Sequence, residues 1–239
     1  MSSSQNHRGQ HPNDEKLFCE KYIPLLIESI KDLSFLLSRD YSFKSALKIV
    51  GDKYRLNERQ RIAIQRASCS DQSLEYRIKN QFPVELVSFN EIVIDGFNLL
   101  ITLESALSGG IVLECRDGCY RDIASIHSTY RKVEETIPAI ELIGLCLTEL
   151  GNKGVIFYLD SPVSNSGRLK TLIMEIAQYY NMNWEVELDL NPDSQLLKSG
   201  RLIVTSDSFI LDSALGWVNL SRYIIDKYIS SSNIIRLVN

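Results

Sequence analysis

Long apolar runs are missing from these 239 residues. None approaches the roughly 18 residues that a membrane-spanning helix needs, so no membrane partner is expected. Histidine is scarce, at 3 in the chain, and CxxC does not occur. Zinc is therefore not indicated, although Cys115, Cys119 and His127 lie within one short stretch. Small buried thiols and a structural histidine account for them better. The Walker A pattern GxxxxGK[ST] is absent, which removes the P-loop route to phosphate binding. The 5 cysteines are odd in number and irregular in spacing, so a disulfide framework is excluded and reduced thiols in a cytoplasmic protein are expected. The first fifteen residues, MSSSQNHRGQHPNDE, lack an apolar stretch and are expected to form a disordered tail rather than a secretory signal.

What is present is ordinary in bulk and uneven in distribution. Hydrophobic residues make up 44% and charged residues 23%, which suits a folded protein of one large or two small domains. Residues 31–80 hold 11 Lys/Arg against 6 Asp/Glu, whereas residues 81–239 hold 12 against 20. A basic module before an acidic one suits a protein that attracts a polyanion and holds cations. Ordinary solvated helix faces would give the same counts.

Apolar residues at helical spacing run from Lys16 to about Gln81 and predict four short helices. Pro24 lies near a helix start or kink, and Ser42, Asn57 and Asp71 are candidate caps. After Pro83 short β-branched runs alternate with helical stretches. The expected division is a tail (1–15), a basic helical module (16–83) and an α/β domain (84–239). The second half reads as a doubly wound, mainly parallel sheet flanked by helices. IVLEC predicts a short extra strand or hairpin, and a helix is expected from about Tyr120 to Lys132.

Three of the predicted strands end on an aspartate: Asp95 in EIVIDGFN, Asp160 in GVIFYLDSP and Asp207 in RLIVTSDS. In an open parallel sheet the carboxyl ends share one edge, where ligands bind. Three carboxylates on one edge repel each other unless a cation lies between them, and a hard divalent ion such as Mg2+ or Mn2+ prefers oxygen ligands. Each aspartate alone would serve as a helix cap. Gly96 allows a sharp turn, Asn98 aims an amide into the same crevice, and Thr205, Ser206 and Ser208 add hydroxyls beside Asp207, with Asp212 five residues on.

Other polar stretches offer further candidates. ECRDGCYRDIASIHSTYRK carries Glu114, Asp117 and Asp122. Asp122 suits either the first turn of a helix or a fourth place at the metal. Arg116 and Arg121 would pair with acids or meet a phosphate. In SPVSNSGRLK, Ser161, Ser164, Asn165 and Ser166 precede a helix with Arg168 and Lys170 in its first turn. That is either a phosphate site or a turn capped by Ser164 or Ser166. Arg55, Arg59, Arg61 and Arg66 cluster in the basic module, with Arg59 and Arg66 on one face, and arginine forks match phosphate oxygens. Little aromatic interleaving accompanies them, so this segment does not predict base stacking.

VIDGFNLL, RDIASIHSTYRK, the strand ending at Asp160 and VTSDS occur in an order that resembles PIN-like nucleases of the NYN branch, over about residues 90–222. The resemblance implies a small Rossmann-like sheet and an acid cluster binding Mg2+ or Mn2+ for phosphodiester hydrolysis, mostly of RNA. Asp95 and Asp207 carry over by motif, with Asp160 and Asp122 in the remaining acid positions. The segment LLSRDYSFKSALKIVGDKYRLNERQRIAIQRASC is similar to an uncharacterised prokaryotic domain of unknown function, family four-three-four. The expectation is a metal-dependent ribonuclease with Asn98, Ser164, Asn165, Ser166, Arg168, Ser206, Arg55, Arg59 and Arg66 on its substrate. The alternatives are an inactive scaffold that binds RNA or protein, or a phosphatase or nucleotide-binding enzyme using SPVSNSG. A haloacid-dehalogenase-type phosphatase is disfavoured, because no aspartate stands two residues after Asp95.

Overall fold

A computed structural model describes residues 7–124 and 129–238. After the single turn α1 (Asp14–Leu17) come four helices: α2 (Ile23–Leu37), α3 (Phe43–Lys53), α4 (Glu58–Ala67) and α5 (Asp71–Lys79). Ser42 precedes α3 and Asn57 precedes α4, where Gln60 completes a capping box. Ser70, rather than Asp71, caps α5 by accepting from the Ser73 amide.

The remaining elements alternate. They are β1 (Gln81–Phe82), β2 (Ile92–Asp95), α6 (Gly96–Leu107), β3 (Ile111–Glu114), β4 (Tyr120–Asp122), α7 (Thr136–Glu149), β5 (Val155–Asp160) and α8 (Ser166–Tyr179). Then follow β6 (Trp184–Asp189), α9 (Pro192–Lys198), β7 (Leu202–Val204), α10 (Ser208–Leu211), β8 (Trp217–Val218), α11 (Leu220–Tyr228) and β9 (Asn233–Arg236). Six strands form one sheet in the order β1-β8-β7-β2-β5-β6, and every pairing is parallel. The three aspartate-bearing strands are therefore neighbours, with β2 between β5 and β7.

Both faces of the central strands β2, β5 and β7 are covered, which explains their near-continuous apolar residues, whereas β6 alternates buried and exposed ones. Ile92 and Ile94 face a core shared with α6, α7, α8 and α11, while Val93 faces a smaller core with Ile203, Leu196, Ile210 and Trp217. Burial of such side chains contributes roughly 25 cal/mol per Å2 of apolar surface removed from water.

β4, β3 and β9 form a second sheet. It corrects the expected helix from Tyr120 to Lys132: Tyr120–Asp122 is a strand antiparallel to β3, and Thr129–Glu135 is not helical. Asp117-Gly118 makes the turn, with Gly118 at φ 76 and its amide on the Cys115 carbonyl at 2.9 Å. Asp-Gly is a strong hairpin signal, and it outweighs the helical spacing downstream. β9, absent from the sequence reading, adds to β3 in parallel. The helices α2–α4 pack on this second sheet through Leu26, Leu33, Ile64, Ile111, Leu113 and Leu237.

Residues 7–15, expected as part of a disordered tail, lie against the body. Arg8 pairs with Glu104 at 2.7 Å, and Asp14 accepts from Arg59 at 2.8 Å. Among the described residues no helix is long and apolar enough to cross a membrane.

Candidate functional site

The sheet changes direction at β2. The chain runs outward through β5 and β6, then returns to the other side of β2 as β7 and β8. The crevice at such a switch point is the natural ligand site of an open parallel sheet. Asp95 ends β2, Asp160 ends β5, and Asp207 follows β7 by three residues. Asp95 Oδ2 accepts from the Thr205 hydroxyl at 2.9 Å, and the same hydroxyl oxygen accepts from the Asp207 amide at 3.0 Å. Asn98 Oδ1 accepts from both the Ser206 amide and hydroxyl, each at 2.8 Å. These bonds fasten the end of β7 to the start of α6.

A fourth carboxylate joins the three. Asp193, in the first turn of α9, was not singled out from sequence. Its carboxyl is raised above the ordinary value by burial, and then by the charges of Asp207 and Asp160. Asp95 is pushed up to about 7, chiefly by burial, with Asp207 and Asp193 adding to the rise and Thr205 opposing it. Burial also raises Asp160. The available signal was Asn191-Pro192-Asp193: a cap and an N1 proline right after a strand put an acid at the carboxyl edge of the sheet.

Asp95 and Asp207 also cap helices. Asp95 Oδ1 accepts from the Asn98 amide at 3.4 Å, and Asp207 Oδ1 accepts from the Phe209 and Ile210 amides at 2.8 and 3.3 Å. Among the described residues, no three His, Cys, Asp or Glu side chains are grouped closely enough to hold a metal ion as they stand.

Beside this edge lies a cleft of about 600 Å3 between the helical module and the α/β domain. Asp207, Ser206, Asn98 and Asp122 line one side, and Arg66, Ser70, Ser73 and Phe43 come from the helices. Arg66 of the helical region and Asp207 of the sheet edge therefore face the same space, whereas Asp95, Asp160 and Asp193 do not line it. Beneath the cleft is a buried ion network. Asp117, 1% exposed at its side chain, receives Arg77 at 2.6 Å and both terminal nitrogens of Arg121 at 2.6 and 2.9 Å. Burial opposes its charge, but the two guanidiniums outweigh burial and hold the carboxyl well below its ordinary range. Arg121 Nε also donates to the Ser206 carbonyl at 2.6 Å, Arg77 donates to the Ser208 carbonyl at 3.2 Å, and Arg77 Nε meets Asp212 at 2.7 Å. The segment that carries Asp207 is thus fastened from below by two arginines.

The other expected site residues separate. Asp122 lies on β4, not at a helix start. Its Oδ1 accepts from the Ala124 amide at 2.7 Å and its Oδ2 from Thr102 at 3.3 Å, with Arg66 at 3.5 Å, which makes it a wall of the cleft and not part of the acid group. Arg66 reaches the cleft, but Arg59 is bound to Asp14 and to the Gly9 carbonyl, and Arg55 lies exposed away from the cleft at φ 51. Arg61 pairs with Asp52.

SPVSNSG does not present a phosphate cradle to the cleft. Asn165 donates to the Tyr130 carbonyl at 2.8 Å, the Ser164 carbonyl accepts from the Tyr130 amide, and Ser166 donates to the carbonyls of Asp160 and Val163. Asn165 occupies the cap position in left-handed conformation, so neither expected serine caps α8. Arg168 is exposed on α8 outside the cleft. Burial pushes the Cys115 thiol up to about 11 and raises Cys119 well above its ordinary value, which suits inert thiols, and His127 lies outside the described residues.

Residues 84–223 match the family described as "Domain of unknown function (DUF5616)", and residues 25–79 match "Protein of unknown function (DUF434)". The chain is similar to an "Uncharacterized protein" of Methanocaldococcus jannaschii, at 34% identity over 188 residues, covering 78% of this chain and 89% of the relative. No solved structure matches it.

Proposed function

This chain belongs to the DUF5616 family, and from its site we propose that it is a divalent-cation-dependent hydrolase of phosphodiesters, with RNA as substrate. The observation that carries the proposal is the placing of Asp95, Asp160, Asp193 and Asp207 along the carboxyl edge of the sheet at its switch point, with Asp95 pushed up to about 7, chiefly by burial. Carboxylates raised by burial and by a neighbouring acid's charge, at the ligand edge of a sheet, mark a candidate functional site. The likeness of VIDGFN and VTSDS to PIN-like nucleases supports the same reading.

The donor set is carboxylate oxygen with hydroxyls close by, which fits Mg2+ or Mn2+ and not a thiophilic metal. Asp95, Asp160, Asp193 and Asp207 would hold the ion, with Asp95 and Asp207 turning from their caps to do so. Such an ion supplies positive charge for phosphoryl oxygens and acidity for a water. The chain's own residues do the rest. Arg66 offers a guanidinium for a backbone phosphate on the cleft wall. Thr205 and Asn98 hold the two strand ends in register. The buried free thiols suit a cytoplasmic protein.

A binding scaffold is the second reading. It is favoured by the capping bonds of Asp95 and Asp207, which engage both acids without a metal. Cleavage of labelled single-stranded RNA separates the two. Turnover that requires Mn2+ or Mg2+, stops in EDTA and falls at least a hundredfold in Asp95→Asn and Asp207→Asn supports the hydrolase. Full activity in Asp95→Asn, or indifference to EDTA, overturns it. Mn2+ should also raise the melting temperature of the wild type and not of the double variant, because a ligand of the folded state stabilises by mass action.

A further inference from the structure

The chain between α2 and α3 carries Arg39 and Tyr41, the first turn of α3 carries Phe43 and Lys44, and every residue from Arg39 to Ser45 is exposed. Asp40 adopts φ 60 and reverses the chain there. Phe43 lines the cleft that Asp207 and Arg66 share, yet is 40% exposed. Tyr41 is 51% exposed and Phe35, one helical turn before Arg39, is 54% exposed. The Arg39 guanidinium sits over the Phe35 ring at 3.6 Å. This turn is anchored from behind: Ser38 Oγ accepts from the Asp71 amide at 2.8 Å, and the Ser38 carbonyl accepts from Gln72 at 3.1 Å.

A single exposed aromatic is ordinary, but several gathered on one short stretch of surface mark a binding site. Here three exposed aromatics and two cations lie within ten residues of chain, and one of the aromatics, Phe43, lines the cleft that Asp207 also lines. We infer that the α2–α3 turn is a stacking platform for the unpaired bases of a single-stranded nucleic acid whose backbone runs into the cleft toward Asp207. Aromatic rings offer a face to any base, and Arg39 and Lys44 supply charge for the phosphates between stacked bases. The surplus of cations over acids in residues 31–80 gives the module the sign a polyanion needs. A duplex hides its base faces, and a cleft of about 600 Å3 takes a ligand of nucleotide size rather than a double helix. The direction of the strand rests on reading the Asp207 edge as the place where a phosphodiester is cut. The stacking does not.

The test is fluorescence anisotropy of the full chain with a labelled oligouridine, and with an RNA duplex of equal length, in EDTA so that no turnover intervenes. The wild type should bind the single strand at least tenfold more tightly than the duplex. Tyr41→Ala/Phe43→Ala should lose about tenfold of single-strand affinity at an unchanged melting temperature, and Phe43→Trp should retain it. Equal single-strand affinity in the double variant and the wild type, or equal affinity of the wild type for duplex and single strand, overturns the inference. Binding that follows these expectations in a protein that never cleaves RNA would overturn the hydrolase alone and leave the platform standing.

Discussion

The substitution Asp95→Asn separates a strained functional acid from a helix cap by its effect on stability alone. The Asp95 carboxyl titrates near 3.8 in an unfolded chain and at about 7 in the fold. An acid whose value is raised by folding leaves stability intact below its unfolded value and costs stability as pH climbs to its folded value. Each pH unit of displacement is worth about 1.4 kcal/mol, so the roughly three units here amount to about 4 kcal/mol across the full window. Between pH 5 and pH 8 about two of those units are crossed, a ceiling near 3 kcal/mol. Partial solvation of the crevice reduces that by about half, to about 1.5 kcal/mol. The four acids titrate as a group, so the slope belongs to the cluster, and removing one charge relaxes its neighbours as well.

Asparagine keeps the rest of the geometry. Its Oδ1 still accepts from the Asn98 amide, and its Nδ2 donates to the Thr205 oxygen once that hydroxyl rotates. Asparagine and aspartate are equally good caps. The charge is therefore the main change. Urea unfolding of both proteins in EDTA at pH 5 and pH 8 reads the outcome. The stability difference should move by about 1.5 kcal/mol in favour of Asp95→Asn as pH rises, while RNA cleavage is lost. A difference that stays constant to within about 0.5 kcal/mol would refute the raised, buried Asp95 and return it to the role of a cap.

Two further predictions concern buried charge. Asp117→Asn leaves Arg77 and Arg121 without their shared anion, and breaking such a buried group costs about 3–5 kcal/mol. Thermal unfolding should show a fall of roughly 10 °C. Because folding lowers the Asp117 carboxyl, the contribution is present at neutral pH and shrinks only below about pH 4. Arg8→Met removes the cation from Glu104, whose side chain is 0% exposed and otherwise meets only the hydroxyls of Tyr130 and Thr136. Burial raises the Glu104 carboxyl, and losing Arg8 raises it further, so the variant should lose about 2 kcal/mol at pH 8 and less at pH 5. Denaturant unfolding checks this, and adding Glu104→Gln should restore most of the loss.

The legible features were those whose cause is local. The aspartates at the ends of β2 and β5, and just beyond β7, were readable because β-branched runs and the turns after them announce strand ends. Asn57 was readable because capping chemistry acts within one helical turn. The hairpin at Asp117-Gly118 was readable too, but the apolar spacing after Tyr120 suggested a helix, and pairing with β3 overrode it. Asp193 was missed because a charge in a short helix looks solvated until the crossover places it against the sheet edge.

By itself the sequence determined the alternation of strands and helices, the parallel sheet and three of its four edge acids, since periodicity and capping operate over a few residues. Only the tertiary structure decided that Arg66 shares a cleft with Asp207, that Arg59 is spent on Asp14, and that SPVSNSG is held by Tyr130. It also decided that Arg77 reaches Asp212 across 135 residues of chain. Such pairings depend on which crossover brings two distant segments together and on which buried charge most needs a partner. Both are settled when the whole core closes, and no local pattern records them.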